Sequence, residues 1–574
     1  MPDIAAAWPA ATLPEIEAAL CAPGQRFEME TLDIRGVMTR TWKNAPPSMR
    51  ALVDLSCTHG ERMATIYEDE RVTYAAQYRA IATLAAALRE RGVEQGDRVA
   101  IAMRNLPEWP VAFFAITVLG AIAVPLNAWW TGEELAYGLK DSGAKLLICD
   151  DERWDRIAPR RGGMSALQRV IVSRAEAVAE GCEGLEAIIG PPGDWAGLPE
   201  RPLPSTVINA DDDAGILYTS GTTGHPKGAL ITHRNFMTNI LSSAYAAART
   251  LLRRGEAIPL PVQKVSLTVI PLFHATALSA GLMGSMAAGH TSIYMHRWDV
   301  LKAFAIIERE RVNMTGGVPT IAWQMLEHPD RERYDLSSLE TIGYGGAPSA
   351  PELVRRIESD FRAMPTNGWG MTETTATVTT HAAEDYLNRP ESCGPAVPVS
   401  DLKIMDVDGT RELAIGEVGE LWARGPQIVK GYWNKPEATA ATFVDGWVRT
   451  GDLARLDDEG FCYIVDRAKD MIIRGGENIY CVEVENLLYE HDGVTDAALI
   501  GLPHRTLGEE PAAVVHLAPG ATATEVELQA LVRRHLAAFK VPVRILFSAE
   551  TLPRNANGKI LKPEVKKMFE VEFA

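Results

Sequence analysis

The sequence is poor in cysteine and has no excess of basic residues. Its seven cysteines are scattered over 574 residues without a C-x-x-C spacing, which argues against a disulfide framework or zinc site and favours a reducing, cytoplasmic compartment. The formal net charge is −18, whereas a nucleic-acid-binding protein needs a basic footprint to displace counterions. We therefore expect no nucleic-acid partner, and any anionic ligand must be bound by a local arrangement of donors and cations.

An uninterrupted membrane-spanning run is also missing. The first twenty residues contain Asp and Glu but no basic stretch, so no secretory signal is predicted. One uncharged stretch, Val111–Trp130, is long enough to cross a bilayer, but Gly120, Pro125 and Asn127 interrupt it. We interpret it as a buried helix that ends near Leu119 and is followed by a short strand, and we expect no integral membrane span.

Apolar strand-like runs alternate with amphipathic helical patterns along most of the chain. The runs DRVAIAM, AIAVPL and KLLICD are separated by helical stretches, which predicts parallel sheets covered by helices. From about Arg411, short apolar runs with Gly-rich turns predict a β-rich part, and after Asp470 short strands and helices alternate. The sequence predicts an α/β protein: a large N-terminal domain (1–468) of mixed and parallel sheets with a β-rich subdomain, and a small α+β C-terminal domain (469–574).

The stretch YTSGTTGHPKGA begins at Tyr218, after an apolar strand-like run and before a helical pattern. Gly221 and Gly224 allow successive N–H groups to point at an anion. The spacing is not that of a Walker A loop, because Pro226 precedes the lysine and a glycine follows it. A loop at the end of a parallel strand is a usual ligand site in α/β folds, so phosphate binding is favoured over a surface turn. The hydroxyl and cationic donors of the loop are Ser220, Thr222, Thr223 and Lys227.

This stretch resembles the signature of the adenylate-forming enzymes, which include acyl-CoA synthetases, peptide-synthetase adenylation domains and firefly luciferase. Further motifs that resemble those of the family follow in its order: PLFHATAL, GYGGAP, NGWGMTETT, GEVGELWARG, WVRTGD, YIVDRAKDMIIRGGENIY and LPRNANGKILK. The resemblance extends over the chain from about Leu52 and is nearest to the fatty acid–CoA ligases. It implies a small-molecule carboxylic acid as substrate, with ATP, Mg²⁺ and coenzyme A as cofactors and co-substrate.

The resemblance also implies roles for single residues of an ATP site. Asn367 would contact the adenine amino group, Trp369 would take the aromatic place beside the base, and Asp452 with Arg467 would bind the ribose. A carboxylate accepts two hydrogen bonds from a ribose diol, so the chemistry of this pair is suitable. The full ATP- and AMP-binding set implied by the resemblance is Thr219, Ser220, Gly221, Thr222, Thr223, Gly224, Lys227, Gly346, Ala347, Pro348, Asn367, Gly368, Trp369, Gly370, Met371, Thr372, Asp452, Arg467 and Lys559.

Four residues are implied to be catalytic: Lys559, Thr219, Glu373 and His274. Lys559 resembles the lysine that meets the substrate carboxylate and the α-phosphate during adenylation. Because that reaction brings two anions together, we expect cations and Mg²⁺ to provide most of the catalysis. Glu373 is a hard oxygen ligand for Mg²⁺, and the metal site is predicted to be Thr219 and Glu373.

The acid and coenzyme A are expected to bind on two sides of the same site. The resemblance implies an acyl pocket of His274, Ala275, Tyr344, Gly345 and Gly370. It also implies a mobile C-terminal domain with Lys469 as hinge, which turns a second surface toward coenzyme A for the second half-reaction. The implied residues of that surface are Lys469, Arg474, Gly475 and Gly476.

Three functions stay open at this stage. The first is an AMP-forming carboxylic acid–CoA ligase, for which a medium- or long-chain fatty acid is the expected substrate and an aryl-alkanoic or steroid side-chain acid the alternative. Small residues and methionines around the implied pocket favour bulky apolar acids. The second is an acyl-AMP ligase that loads a carrier protein, and the third is a luciferase-like oxidative use of the adenylate. The oligomeric state that we consider for this protein is a homodimer.

Overall fold

A computed structural model describes residues 8–219, 225–345, 351–406, 408–475, 477–518, 520–554 and 559–572. The strands are, in chain order, β1 (Met29–Ile34), β2 (Val37–Trp42), β3 (Met63–Tyr67), β4 (Glu70–Thr73), β5 (Arg98–Ala102), β6 (Ile122–Pro125), β7 (Leu146–Asp150), β8 (Arg169–Ser173), β9 (Glu183–Gly184), β10 (Asp213–Thr219), β11 (Lys227–Thr232), β12 (Val265–Thr268), β13 (Thr291–Tyr294), β14 (Met314–Gly317), β15 (Thr341–Gly345), β16 (Met364–Met371), β17 (Ala376–Ala382), β18 (Gly394–Pro395), β19 (Asp401–Met405), β20 (Gly419–Arg424), β21 (Phe443–Val444), β22 (Trp447–Leu456), β23 (Phe461–Arg467), β24 (Ile472–Arg474), β25 (Glu477–Ile479), β26 (Val494–His504), β27 (Gly508–Leu517) and β28 (Arg544–Ser548).

The α-helices lie between these strands and cover the sheets. They are, in chain order, α1 (Leu13–Leu20), α2 (Met49–Cys57), α3 (Tyr74–Glu90), α4 (Glu108–Thr117), α5 (Gly132–Ser142), α6 (Asp151–Ile157), α7 (Glu186–Ile189), α8 (His233–Arg253), α9 (Met283–Ala288), α10 (Val300–Glu310), α11 (Pro319–Glu327), α12 (Pro351–Phe361), α13 (Ala383–Asn388), α14 (Pro436–Thr442), α15 (Cys481–Tyr489), α16 (Glu525–His535) and α17 (Lys562–Glu572).

Besides the β1–β2 hairpin, the strands within the described residues form four sheets. The first has the order β11-β10-β6-β5-β7-β8-β9 and is parallel except for β11. The second has the order β17-β16-β15-β14-β12-β13-β3-β4 and is parallel except for its two edge strands. The third, β18-β23-β22-β20-β19 with β21, is antiparallel, and the fourth contains β24 to β28. The predicted α/β class, with parallel sheets and a β-rich part, is confirmed.

The uncharged stretch from position 111 to 130 is part of the core. Helix α4 is buried along its whole length against helix α3 and strands β5 and β6, and β6 is a fully buried strand of the first sheet. The predicted change from helix to strand is therefore confirmed, although the helix ends at Thr117, two residues before the predicted Leu119. Among the described helices, none is both long enough and apolar enough to cross a bilayer.

Local capping signals explain where several helices begin. Thr131 and Glu134 form a reciprocal capping box at the start of α5, which ends at Gly143 in the left-handed conformation with φ of 64°. The spacing of Thr524 and Glu527 in the sequence predicts a capping box, and that box is present at the start of α16, where the Glu527 carboxylate accepts from the Thr524 N–H at 2.8 Å.

The chain changes sheets at the predicted junction between its two parts. Strand β23 ends at Arg467 in the third sheet, and β24 begins at Ile472 in the fourth. Across the junction, the Cys481 N–H donates to the Asp466 carboxylate, and the Cys481 Sγ lies 3.0 Å from the Asp470 carbonyl oxygen. These contacts hold the start of α15 against the third sheet. The division into 1–468 and 469–574 remains a prediction.

Candidate active site

The candidate site lies where strands of the two parallel sheets end. Strand β10 ends at Thr219, and the phosphate-loop residues Ser220, Gly221, Thr222, Thr223 and Gly224 lie outside the described residues. The chain returns antiparallel along β11, so Thr219 is paired with Lys227, and its hydroxyl is 3.4 Å from the Lys227 carbonyl oxygen. The strand pair therefore places a hydroxyl and a lysine at the two ends of the loop, as expected for a phosphate site.

A buried carboxylate, a phenol and a lysine form the second part of the site. Glu373 follows β16 and is only 6 % exposed. Its Oε1 accepts a hydrogen bond from the Tyr432 hydroxyl at 2.7 Å, and the Lys227 ammonium lies 5.0 Å from the centre of the Tyr432 ring. Burial raises the pKa of Glu373, while the Tyr432 hydroxyl and the charges of Arg467 and Lys227 oppose that rise. A single buried carboxylate is thus kept close to cations.

Tyr432 is held in place by the backbone around it. The carbonyl of Gly431 accepts from the Leu230 N–H at 2.9 Å, and the Trp433 N–H donates to the Gly228 carbonyl at 2.7 Å. The Glu373 carbonyl in turn accepts from the N–H of Val429 at 3.1 Å. The segment that carries Tyr432 is therefore fixed between strand β11 and the turn that carries Glu373.

The residues present suit a Mg²⁺ ion that is held mainly by the phosphate groups of a bound nucleotide. Within the described residues, no group of three or more His, Cys, Asp or Glu side chains is arranged to hold a metal ion. Mg²⁺ in nucleotide sites is commonly held by one or two protein oxygens together with substrate phosphates and water. One buried carboxylate at Glu373 and one hydroxyl at Thr219 match that donor chemistry.

The residues expected to bind ribose are brought together on the third sheet. Asp452 on β22 is paired directly with Arg467 on β23, and the Arg467 Nε is 3.2 Å from the Asp452 Oδ1. The other carboxylate oxygen, Oδ2, accepts a hydrogen bond from the indole N–H of Trp369 at 2.8 Å. Asp452 is 7 % exposed, so its charge is held by these two donors rather than by bulk water.

Lys559 lies at the same place, although it comes from the C-terminal part of the chain. Partial burial lowers the pKa of Lys559 to about 7; the charge of Arg467 also lowers it, whereas Asp452 and Asp470 oppose the decrease. Lys559 is therefore near enough to the Asp452–Arg467 pair for the charges of both residues to act on it. Lys469 is close to the same charges, and burial lowers its pKa as well.

Strand β16 and its exit carry six of the implied nucleotide residues, from Asn367 to Thr372. Asn367 uses its Oδ1 to accept from the Gly368 N–H at 2.7 Å, and the Met371 N–H donates to the hydroxyl of Thr374 at 2.9 Å. A bulge interrupts the pairing with β17, because Trp369 is opposite Thr379 while the next residue is opposite Thr377. Gly346, Ala347 and Pro348 lie outside the described residues, and Thr372 begins the turn after β16.

Glycine is required at position 370. A Cβ atom on Gly370 would be 1.4 Å from the Ala376 carbonyl oxygen, which no side chain permits. A Cβ atom on Gly345 would be 3.4 Å from the Gly368 carbonyl oxygen, an ordinary contact distance. The close approach of backbone therefore dictates the first glycine, and the second is not dictated in the same way.

The residues implied for the acyl pocket lie at the carboxyl ends of nearby strands of the second sheet. His274 follows β12, Tyr344 lies in β15, and β14 pairs with both strands. Burial lowers the pKa of His274 to about 4, so the ring is neutral near pH 7, and its Nδ1 accepts from the Thr276 N–H at 3.4 Å. Ala275 is buried beside it.

A π-helical segment, Thr276–Leu282, follows His274 directly. Such segments are rare and are found mostly at functional sites. No pattern in the sequence predicted this segment. Five apolar side chains of this segment and the next helix are buried: Ala277, Leu278, Leu282, Met283 and Met286.

The residues implied to face coenzyme A contact the C-terminal part of the chain here. The Gly475 N–H donates to the Leu507 carbonyl at 2.7 Å, and the Arg474 guanidinium is 3.4 Å from the Glu510 carboxylate. Gly475 has a φ of 61°, which favours glycine, and Gly476 lies outside the described residues.

Two contacts of the site were missed by the sequence reasoning. Tyr432 was not selected at all, and the hydrogen bond from Trp369 to Asp452 was not expected. The stretch VKGYWNKPE around Tyr432 contains no catalytic pattern on its own, and only its position near Glu373 shows its relevance.

Comparison with known proteins agrees with this geometry. A family model described as AMP-binding enzyme matches residues 54–433, and the AMP-binding enzyme C-terminal domain matches residues 483–559. The feruloyl-CoA synthase of Amycolatopsis is 37 % identical over 498 residues, which cover 87 % of this chain and 94 % of the relative. The long-chain-fatty-acid–CoA ligase FadD13 of Mycobacterium tuberculosis is 35 % identical over 549 residues, which cover 93 % and 98 %.

A solved structure supports the same relationship. The o-succinylbenzoate coenzyme A synthetase of Bacillus subtilis, in complex with ATP and magnesium ion, superposes with a TM-score of 0.74 at 30 % identity. The match covers 91 % of this chain and 99 % of that chain. With both family models matched in chain order and the motif residues gathered around one site, the chain belongs to the AMP-binding enzyme family, as its resemblance to the adenylate-forming enzymes predicted.

Proposed function

We propose that the chain is an AMP-forming carboxylic acid–CoA ligase that works through an acyl-adenylate and uses ATP, Mg²⁺ and coenzyme A. The observation that carries this proposal is the position of Lys559 beside the Asp452–Arg467 pair. A cation from the C-terminal part is thereby added to a nucleotide site that the N-terminal part builds. The names of the matched relatives, which are CoA synthases and ligases, support the same class of reaction.

In the first half-reaction, a carboxylate oxygen of the acid would attack the α-phosphorus of ATP. A bond forms between that oxygen and phosphorus, the bond from phosphorus to the bridging oxygen breaks, and pyrophosphate leaves. Lys559 would offset the negative charge where the two anions meet, and Lys227 would bind phosphate oxygens near the loop. Asp452 would accept hydrogen bonds from the ribose hydroxyls and so hold the α-phosphate in reach of the acid.

Glu373 and Thr219 are the residues that would hold Mg²⁺. Bound there, the metal would neutralise charge on the phosphate groups during transfer. The Tyr432 hydroxyl keeps the Glu373 carboxylate in one orientation, because it donates to one of the two carboxylate oxygens. We assign Tyr432 a supporting role on that basis.

In the second half-reaction, the thiol sulfur of coenzyme A would attack the carbonyl carbon of the acyl-adenylate. The new carbon–sulfur bond replaces the bond from carbon to the phosphate oxygen, and AMP leaves. We propose that Lys469 acts as hinge and that Arg474, Gly475 and Gly476 face coenzyme A after the C-terminal part has turned. The neutral His274 would border the path between the acyl pocket and the thiol.

An apolar acid fits the surroundings of His274 best. Apart from Ser279 and Ser285, the buried residues that follow it are aliphatic or methionine, and Met side chains adapt to bulky apolar groups. A medium- or long-chain fatty acid is our first expectation, supported by the similarity to the fatty acid–CoA ligase. The similarity to a feruloyl-CoA synthase favours an aryl-substituted acid as the second candidate. A steroid side-chain acid and carrier-protein loading are the remaining alternatives.

A cytoplasmic location and a homodimer are further parts of the proposal. All seven cysteines are free thiols in the structure, which agrees with a reducing compartment. The oligomeric state is open to direct measurement by light scattering.

The deciding experiment measures AMP, pyrophosphate and thioester release by the purified protein with ATP, Mg²⁺ and coenzyme A. The acids would run from acetate to palmitate and include ferulate, cinnamate, an aryl-propionate and a steroid side-chain acid. A CoA thioester with one clear optimum would establish both the ligase and its substrate class. Pyrophosphate release without use of coenzyme A would instead favour carrier loading, and no pyrophosphate with any acid would contradict the proposal.

A further inference from the structure

The carboxylate of Asp452 is held by two different donors, one on each oxygen. The Arg467 Nε is 3.2 Å from Oδ1, and the Trp369 indole N–H donates to Oδ2 at 2.8 Å. Because the donors approach from residues on different sheets, the carboxylate plane cannot turn without breaking one of the two contacts. The Arg467 side chain is 43 % exposed, so the Trp369 contact is the better shielded of the two.

Trp369 is itself well fixed. Its ring packs against two buried apolar clusters, one containing Leu421 and the other containing Val378 and Ala423. Its backbone N–H is 3.2 Å from the Thr379 hydroxyl, at the bulge in the β16–β17 pairing. An aromatic ring held on both sides in this way is a rigid donor, and its N–H direction follows from the backbone.

We propose that Trp369 is a positioning residue for ribose recognition: its indole N–H orients the Asp452 carboxylate toward the 2′- and 3′-hydroxyls of ATP. This inference rests on the proposed function, in which Asp452 binds ribose. Each carboxylate oxygen accepts more than one hydrogen bond, so each retains capacity for one ribose hydroxyl after accepting from the protein. Trp369 therefore acts through Asp452, in addition to any contact of its ring with the adenine.

The two roles of Trp369 have different consequences. If the ring served only as a surface for the base, any aromatic residue of similar shape would suffice, and recognition of ribose would not change. If the N–H orients Asp452, its loss weakens binding of the diol. A hydrogen bond to a charged group contributes more binding free energy than one between neutral groups. We therefore expect its loss to raise KM for ATP about tenfold.

The test uses two substitutions at this position. Trp369→Phe keeps an aromatic ring without the donor, and replacement of Trp369 by 3-benzothienylalanine keeps the indole shape with sulfur in place of the N–H. Trp195→Phe is the matched control, because its buried indole N–H donates to the Gly190 carbonyl at 3.0 Å, in a part of the chain without a proposed catalytic role. Each protein is assayed with ATP, 2′-deoxy-ATP, 3′-deoxy-ATP and GTP.

We expect both Trp369 variants to raise KM for ATP about tenfold while KM for the acid and for coenzyme A stays within about twofold. The preference for ATP over the two deoxynucleotides should fall by a similar factor, because the poorly oriented carboxylate gains less from the diol. The benzothienyl protein should keep the preference for ATP over GTP, since its ring system keeps the shape of the indole. Trp195→Phe should keep all of these ratios.

Unchanged ratios of ATP to deoxy-ATP in both active variants would overturn the proposal, and Trp369 would then be a surface for the base only. A fall in kcat with all KM values unchanged would also overturn it. A wild-type protein that releases neither AMP nor pyrophosphate from ATP would overturn the proposed function, and this inference with it. The two failures are therefore distinguished by the wild-type assay.

Discussion

Replacement of Lys559 gives the most direct test of the site, because this residue joins the two parts of the chain. Lys559→Ala should abolish adenylation but keep thioester formation from supplied acyl-AMP and coenzyme A. The reason is that only the first half-reaction brings a carboxylate against a triphosphate, where a cation is needed. Lys559→Arg should keep a charge at this position at every pH in the working range.

The pKa of Lys559 sets the size of a pH effect. Partial burial and the neighbouring Arg467 lower this pKa to about 7, and the protonated form is the one that stabilises phosphate charge. With a pKa of about 7, roughly a tenth of the free enzyme carries the proton at pH 8 and roughly a hundredth at pH 9. We therefore expect kcat/KM for MgATP in the adenylation step to fall about tenfold per pH unit above 7.

The assay measures pyrophosphate release with hydroxylamine as acceptor in place of coenzyme A. MgATP and the acid are both kept far below their KM values, so that the kinetics report the free enzyme. The wild type should lose activity above pH 7, whereas Lys559→Arg should show a flat profile at lower activity. The second half-reaction, followed by loss of free thiol, should not share the fall that depends on Lys559.

Either of two results would refute this reasoning. Equal loss of both half-reactions in Lys559→Ala would show that the lysine has a structural role rather than the one assigned. A fall above pH 7 that persists in Lys559→Arg would assign the titration to another group.

The remaining predictions concern single contacts of the structure. Tyr432→Phe removes a hydrogen bond to ionised Glu373, so the pKa of that carboxyl should rise further and the acid limb of the pH–rate profile should move to higher pH. Gly370→Ala should lower the free energy of unfolding by about 3 kcal/mol or more, measured in urea, because the new Cβ would strike a carbonyl of the neighbouring strand. Asp385→Ala should cost about 3–5 kcal/mol by the same assay, because it leaves Arg253 buried without its carboxylate.

Each of these predictions has a control within the chain. Tyr463→Phe removes a phenol that donates a 3.1 Å hydrogen bond to Asp457, outside the candidate site. This variant should leave the acid limb of the pH–rate profile in place. Gly284→Ala, where a Cβ would meet nothing within 4 Å, should change stability by no more than about 1 kcal/mol. Asp335→Ala breaks an exposed ion pair with Arg311 and should cost less than about 1 kcal/mol. Equal effects in a variant and its control would contradict the corresponding explanation.

The sequence was informative wherever a local pattern decides the structure. Alternating apolar runs predicted the parallel sheets, glycine and proline located the break after α4, and Thr524 with Glu527 predicted a helix start that is present. These features depend on residues a few positions apart, so composition and spacing are sufficient to predict them. The residues of the ATP site were selected by motif, and their roles remain predictions.

Contacts between distant segments could not be predicted in the same way. Tyr432 and Glu373 are 59 residues apart, and Trp369 and Asp452 are 83 residues apart. Whether such pairs meet depends on the strand order, on the register of each pair and on the bulge at Trp369. None of these is encoded in a short window of sequence, and a tryptophan at this position does not reveal which atom its N–H will reach.

That bulge makes the site sensitive to chain length as well as to side-chain identity. Strand β17 contains one residue, Val378, more than its partner needs between Trp369 and Gly370. Successive side chains of a strand point to opposite faces, so removal of one residue would exchange the two faces for everything beyond it. In a library of single-codon deletions, deletions within β17 should therefore abolish activity even at positions where most substitutions are accepted. The length of this short segment, and not only its chemistry, therefore keeps β17 in register with the nucleotide residues of β16.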